Sequence, residues 1–448
     1  MRVLLCQSHL GVRSFEPLVF PLGLSYLASR VKDKHELRCW DPNVSKNPAI
    51  ELPEVISEFN PEVVGVSLRN IDSVFSFNRK SYYPPFVSTI NSVRKSAPTC
   101  KLVVGGTGFS IFAEEILRNN PEIDYGIVSE GENAFAELLE NFDHPDRVKG
   151  LILRRGNRLV LTENQDWALF GDLPAPAREL FDVDKYKNHP YAVGVQPKRG
   201  CVFGCIFCPS RVIWGCPLRI RQPEKVVDEI EMLVNDFDLH SFSFAEAAFN
   251  FPWSYSHKLC RELIRRKLEI KWAAAFNPAF VNQDSIEEAV KAGCELFSFS
   301  PDGASSNAMR LLGKNFDVQA VEKTISLVRK TEGAKAGYSF LYDLPKYNGE
   351  HVLGLARLTS KIIAELGQKL RFLSFSKIRI YPQTTMYTTA LKDGRIAENT
   401  NLLLPTYYES PSSLNPSSLL PGVLRGALKL LGEARSKIEG DSTFKLCS

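Results

Sequence analysis

The 448 residues contain no apolar run approaching the roughly 18–20 that a membrane-crossing helix needs. The opening stretch, MRVLLCQSHLGVRSFEP, lacks the apolar segment of a signal peptide. An excess of one charge is missing too: 55 Lys and Arg against 51 Asp and Glu leave a formal net charge of +4. That balance argues against nucleic acid or an anionic surface as partner. Internal repeats and long low-complexity tracts are absent. What is present is a folding composition, 44% hydrophobic and 10% aromatic, which excludes disorder as the dominant state. The reading is a cytoplasmic protein of two to four domains at roughly 100–200 residues each.

Residues 1–150 alternate strand and helix. MRVLLCQ, LRCWDP, EVVGVSL, KLVVGG and YGIVSEG are short β-branched runs, with helical patterns at Gly23–Val31, Tyr83–Lys95, Ser110–Arg118 and Glu132–Asn141. Such alternation predicts a parallel sheet with helices on both faces. Ligands of such sheets sit beyond the carboxyl ends of the strands. Those ends carry Ser67, Arg69 and Asn70, then Gly105, Gly106 and Thr107, then Glu130, Gly131 and Glu132. Residues 151–190 read as a connector, a hairpin (LILRRGNRLVL) followed by a Pro-punctuated linker. From 191 to 400 the alternation resumes at larger scale, through YAVGVQP, HSFSFAEA, KWAAAFN, LFSFSPD, AGYSFLYDLP and LRFLSFSKIRIYP. Six βα units suggest a partial or complete barrel. Residues 401–448 are Ser/Pro-rich and then carry one amphipathic helix near 422–437.

Of ten cysteines, seven are scattered singly. In a large chain without an export signal, a disulfide framework is improbable. Cys6 and Cys39 sit in strand-like runs, and Cys216, Cys260 and Cys294 on or beside barrel helices, where free cysteine packs as a small hydrophobe. The other three, Cys201, Cys205 and Cys208, form C-x3-C-x2-C in RGCVFGCIFCPS, directly after a predicted strand. Thiolates in such a loop suit an iron–sulfur cluster. Three of them leave one iron of a four-iron cluster open to a substrate, as an open zinc position is. The alternative is a zinc site short of a ligand, for which His189 is the nearest candidate.

RGCVFGCIFCPS resembles the signature of the radical S-adenosylmethionine superfamily, including the aromatic Phe207 before the last cysteine. KAGCELFSFSPDGASSNAMRLLGKN is similar to the family segment near the adenosylmethionine ribose, which implicates Ser300 and Asp302. Asp343 in FLYDLP stands where relatives often have Gly. The N-terminal half, through PLGLSYLASRV, PEVVGVSLRNID, KLVVGGTGFS and IDYGIVSEGENAFAELL, resembles the cobalamin-binding domain of the cobalamin-dependent branch. The resemblance implies an α/β fold: a Rossmann-like doubly wound cobalamin domain, then a (β/α)6 partial TIM barrel and a small helical C-terminal region. It also implies a [4Fe-4S] cluster on the three cysteines, S-adenosyl-L-methionine on the open iron, and cobalamin.

The Asp-x-His-x-x-Gly loop that gives cobalt a histidine does not occur here. Arg69 either crowds the lower face of cobalt or pairs with a carboxylate or a corrin amide at the rim. Glu246 in AEAAFN closes a barrel strand, where active-site groups gather; it either holds the methionine amine or a substrate, or is a solvated loop residue. Tyr338 and Arg379, with Tyr342 and Tyr381, lie on late strands and are catalytic candidates. The activity expected is C-methyl transfer from methylcobalamin to a small natural product or lipid, with flavodoxin or ferredoxin as electron donor. A cobalamin-dependent radical cyclase or rearrangement enzyme is the alternative, and a methylthiotransferase fits less well.

Overall fold

Strands that are buried on both faces read as continuous apolar runs, and RVLLCQ shows why. In the computed structural model, Val3 and Leu5 face one apolar layer, with Leu24, Ala28, Phe135 and Leu138 from two helices. Leu4 and Cys6 face the opposite layer, with Leu52, Ile56, Phe86 and Ile90 from two others. The structure describes residues 1–9, 18–77, 79–163, 167–346 and 349–410.

The first sheet comprises β1 (Arg2–Gln7), β2 (Glu36–Trp40), β3 (Val63–Ser67), β4 (Lys101–Gly105), β5 (Tyr125–Ile127), β6 (Leu151–Arg155) and β7 (Arg158–Leu161). Their spatial order is β2-β1-β3-β4-β5-β6-β7. The first five run parallel, and the last two add antiparallel. The hairpin assigned to a connector is thus part of the sheet. The rest of that segment is no free linker either, because Ala177, Phe181, Val183 and Tyr186 are buried in the core. The sequence reading also missed a helix over Pro48–Phe59, where Pro53 lies inside the helix.

The second half forms β8 (Gly194–Val195), a ribbon of β9 (Lys198–Arg199) and β10 (Arg219–Ile220), then β11 (Ser241–Phe244), β12 (Lys271–Phe276), β13 (Cys294–Asp302), β14 (Lys335–Asp343) and β15 (Leu370–Lys377). Six of these make an open parallel sheet in the order β15-β14-β13-β12-β11-β8. Its helices are locally well specified: Asn282 and Ser285 form a reciprocal capping box, and Asp317 caps Val318–Lys330. Rings fill the interior, with Phe249 and Trp272 at 4.7 Å and Phe276 and Phe297 at 4.7 Å between centroids. The helix expected at 422–437 lies outside the described residues, as does Cys447. No described helix is long and apolar enough to cross a membrane.

Buried ion pairs lock the two halves together. Arg379 reaches Asp72 at 2.7 Å, and Arg199 reaches Glu132 at 2.6 Å. Arg178 and Arg221 converge on Glu229, whose side chain is fully buried; Arg221 is at 2.6 Å and also touches the Tyr26 hydroxyl at 3.1 Å. Removing one member of such a group strands the others without solvent. Glu229→Ala is expected to cost about 3–5 kcal/mol of stability, read as a lower denaturation midpoint in urea.

Candidate functional site

The carboxyl ends of both sheets open onto one cavity of about 610 Å³. From the first sheet it is lined by Gln7 after β1, Ser67 and Arg69 at β3, Gly105, Gly106 and Thr107 at β4, and Glu130, Gly131 and Glu132 after β5. Gly106 has φ of 100°, and a Cβ there would lie 2.5 Å from the Leu68 carbonyl oxygen. Only glycine lets this turn close, and it leaves backbone at the cavity wall. The Gln7 amide nitrogen is buried and has no hydrogen-bond partner. It faces a space suited to an acceptor-bearing ligand. No histidine lines this cavity among the described residues; His9, just beyond β1, lines a separate pocket with His189.

Opposite stand Lys198, Arg199, Gly200 and Ser210, which bracket the cysteine loop, with Glu246 at the end of β11. Gly200 is obligatory: φ is 92°, and a Cβ would sit 2.1 Å from the Pro217 carbonyl oxygen. The loop is pinned from several sides. Cys201 N–H donates to Gly215 at 3.2 Å, Ile206 N–H to Leu312 at 3.1 Å, and Met386 N–H to the Ile206 carbonyl at 2.8 Å. The Cys205 and Cys208 sulfurs lie close enough to Cys201 to raise its pKa. Burial pushes Cys201 and Cys205 up, with smaller contributions from the neighbouring sulfurs. The Cys208 sulfur lies 3.1 Å from the Ser210 hydroxyl. No described trio of His, Cys, Asp or Glu is gathered tightly enough for a single ion. Three thiolates serving three separate irons of a cluster need not be.

Glu246 is not a solvated loop residue. Its side chain is 1% exposed and lies 2.7 Å from the Lys198 ammonium. Lys198 directs its three hydrogens to the carbonyls of Ala248, Phe249 and Phe251, at 3.0, 2.7 and 2.8 Å. Beyond the ion pair with Lys198, neither Glu246 oxygen has a hydrogen-bond partner. Burial outweighs the lysine's charge and pushes the Glu246 carboxyl up to about 7. The arrangement is a buried carboxyl with acceptor capacity left beyond its ion pair. The sequence had no signal for Lys198, an isolated lysine on a two-residue strand.

Other candidates are placed differently. Tyr338 is fully buried, hydrogen-bonded to Thr324 at 3.0 Å and stacked on Phe299 at 5.3 Å. It is a core residue, and Tyr338→Phe is expected to cost about 1 kcal/mol while leaving turnover unchanged in a steady-state assay. Arg379 is likewise spent inside the protein, on Asp72 and on the Leu402 and Thr406 carbonyls at 2.7 and 3.3 Å. Glu130 and Glu132 line the cavity, but their carboxylates engage Arg219 and Arg199 at 2.7 and 2.6 Å. They tie the two halves together. Arg199 in turn stacks over Phe170 at 4.3 Å and over Trp214 at 5.4 Å. Asn70 does not line the cavity; the backbone of Gly108 packs against it so closely that a Cβ would lie 2.6 Å from its carbonyl carbon. Ser300 is exposed and outside the cavity, and its carbonyl accepts from Lys314 at 3.1 Å. Asp302 is buried and paired with Lys314. Phe207 is half-buried, with the Lys314 ammonium 5.4 Å from its ring centre. Asp343 accepts from the Ser410 N–H at 3.0 Å and sits 4.0 Å from Lys377. Cys216, expected to pack, is exposed and accepts from Arg211 at 3.0 Å.

Comparison with known proteins agrees with this division. Residues 8–139 match the model of the B12 binding domain, and residues 195–359 that of the radical SAM superfamily. An uncharacterised methyltransferase of Pyrococcus horikoshii is 24% identical over 407 residues, covering 88% of this chain and 82% of the relative. An anaerobic magnesium-protoporphyrin IX monomethyl ester cyclase of Cereibacter sphaeroides is 26% identical over 330 residues; that match covers 70% of this chain and 52% of the cyclase, so the chain aligns with about half of it. Among solved structures, the radical S-adenosylmethionine methyltransferase TsrM of Kitasatospora setae, with cobalamin and a [4Fe-4S] cluster bound, superposes with a TM-score of 0.79 at 18% identity, over 97% of this chain and 91% of that one. The chain belongs to the cobalamin-dependent, B12-binding-domain radical S-adenosylmethionine enzyme family.

Proposed function

We propose that the protein methylates a carbon atom of a small organic molecule held in the cavity between the two sheets. The observation that carries this reading is the shared cavity itself, into which both the ligand-type strand ends and the bracket of the cysteine loop open. When bound there, a [4Fe-4S] cluster with adenosylmethionine supplies a one-electron route to a carbon radical, and cobalamin a transferable methyl group.

The chain's own residues do the placing. Cys201, Cys205 and Cys208 hold the cluster on a loop whose backbone is fixed at Gly200, Ile206 and Gly215. Glu246, buried beside Lys198, would accept from the amine of the methionine moiety, with Lys198 fixing its position. Ser67, the Gly105–Gly106 turn and Thr107 would frame the corrinoid, and the Gln7 amide would be free to donate to it. Arg69, just after β3, lines the same cavity and would stand beside the corrinoid. Thr107 holds the β3 end in register by donating to the Arg69 carbonyl. The Arg199 and Arg219 pairs with Glu132 and Glu130 keep the two walls at a fixed separation, which sets proximity of the reacting groups. An electron-transfer protein such as flavodoxin or ferredoxin supplies the electron, and the setting is the cytoplasm.

The test uses adenosylmethionine carrying a deuterated methyl group, a reductant, and a panel of small aromatic and aliphatic metabolites. The expected product carries the label on carbon, with 5′-deoxyadenosine and S-adenosylhomocysteine both formed. An unlabelled product formed with 5′-deoxyadenosine alone contradicts methylation and identifies a cyclase or rearrangement enzyme.

A further inference from the structure

Lys314 is a charged side chain that the reading above leaves without a task, and it is built into the wall behind the cysteine loop. It lies in the turn after Ser306–Leu311, with its side chain only 8% exposed. Its ammonium pairs with Asp302 and donates to the Ser300 carbonyl at 3.1 Å. It also sits 5.4 Å above the Phe207 ring and 5.8 Å from the Phe316 ring. The turn that carries it is pressed onto the loop: a Cβ at Gly313 (φ 72°) would lie 2.3 Å from the Gly204 carbonyl oxygen. Leu312 accepts the Ile206 N–H at 3.1 Å. A buried lysine costs desolvation unless paired. Asp302 supplies the pair, so the charge is kept in place without solvent to screen it.

We propose that Lys314 and Asp302 set the reduction potential of the cluster held by Cys201, Cys205 and Cys208, Lys314 raising it and Asp302 moderating that effect. The inference rests on the cluster assignment made under the proposed function. Reduction adds one electron to the cluster. A fixed positive charge buried behind the cysteine loop favours the reduced state, since cluster potentials follow net charge and solvent exposure. Asp302 touches the same ammonium, so its charge opposes the effect.

The experiment is an anaerobic redox titration of the reconstituted full chain, without adenosylmethionine, followed by the electron paramagnetic resonance signal of the reduced cluster. Lys314→Met is expected to shift the couple negative by at least tenfold in the reduced-to-oxidised ratio at fixed potential, about 59 mV for one electron. Asp302→Asn is expected to shift it positive, and Lys314→Arg to restore the wild-type value. Opposite signs from two adjacent residues are a result that simple loosening of the loop does not give. Unchanged potentials in both Lys314→Met and Asp302→Asn, with full iron content, overturn the proposal. If Lys314→Met holds no iron, Asp302→Asn decides alone: a positive shift supports the proposal and no shift overturns it. A wild-type chain that binds no cluster refutes the cluster assignment instead.

Discussion

Replacing Cys201, Cys205 and Cys208 together by Ala is expected to abolish the iron–sulfur charge-transfer absorbance of the reconstituted protein and all formation of 5′-deoxyadenosine. The loss should be complete because the three thiols come from one loop of eight residues and no other described cysteine lies on it. Folding should survive. The loop is held by backbone hydrogen bonds from Cys201 and Ile206, which the substitutions leave in place, and only Cys201 of the three is classed as buried. Circular dichroism of the triple variant is therefore expected to match the wild type. Retained iron and retained 5′-deoxyadenosine formation would contradict the assignment.

Glu246→Gln carries the second large effect. If the carboxylate accepts from the methionine amine, the variant loses a charge-assisted hydrogen bond in a water-poor wall, about 2–3 kcal/mol or about 30- to 150-fold in adenosylmethionine affinity. The pH dependence has a definite sign. With its pKa pushed from 4.5 to about 7 by burial, the group is neutral below that range and charged above it. Wild-type affinity, measured by calorimetry, is expected to strengthen as pH rises through about 7 and then level off, whereas Glu246→Gln stays flat. The ligand-free protein responds oppositely. A carboxyl whose folded pKa is raised contributes stability that is present below the unfolded value and lost as pH rises to the folded one. Between pH 4.5 and about 7 the wild type should lose stability relative to Glu246→Gln. Affinity of the wild type that is independent of pH across this window would sink the role given to Glu246.

The parts legible in the sequence are those whose physics is local. β1, β3 and β4 are apolar on both faces, so a parallel sheet flanked by helices was readable from RVLLCQ, VVGVS and KLVVG alone. Cys201, Cys205 and Cys208 were readable because spacing within a single loop is itself the site. The Pro48–Phe59 helix was hidden by Pro53, which breaks the expected pattern even though the helix tolerates it. The partners of ionisable residues were not legible at all. Glu130 and Glu132 look like ligand groups until Arg199 and Arg219 arrive from a ribbon some 70 to 90 positions later. Arg379 looks free until Asp72 is brought 2.7 Å from it across the interface. Tyr338 could not be assigned to a face, because a parallel barrel strand is covered on both sides and alternation then carries no inside-outside signal. Lys198 and Lys314 were invisible for the complementary reason: each is a lone lysine whose role exists only through the carbonyls and carboxylates folded around it.

The most direct measurement of the central claim needs no knowledge of the acceptor. The full chain is loaded anaerobically with iron, sulfide and reduced cobalamin and given adenosylmethionine with a deuterated methyl group. The corrinoid is then extracted and weighed by mass spectrometry. The account predicts deuterated methyl on the extracted corrinoid and S-adenosylhomocysteine in equal amount, with both reduced by substitutions in the cavity wall such as Gly106→Val. A corrinoid that stays bound yet takes up no label, with no S-adenosylhomocysteine formed, would contradict methyl transfer as the function of this site.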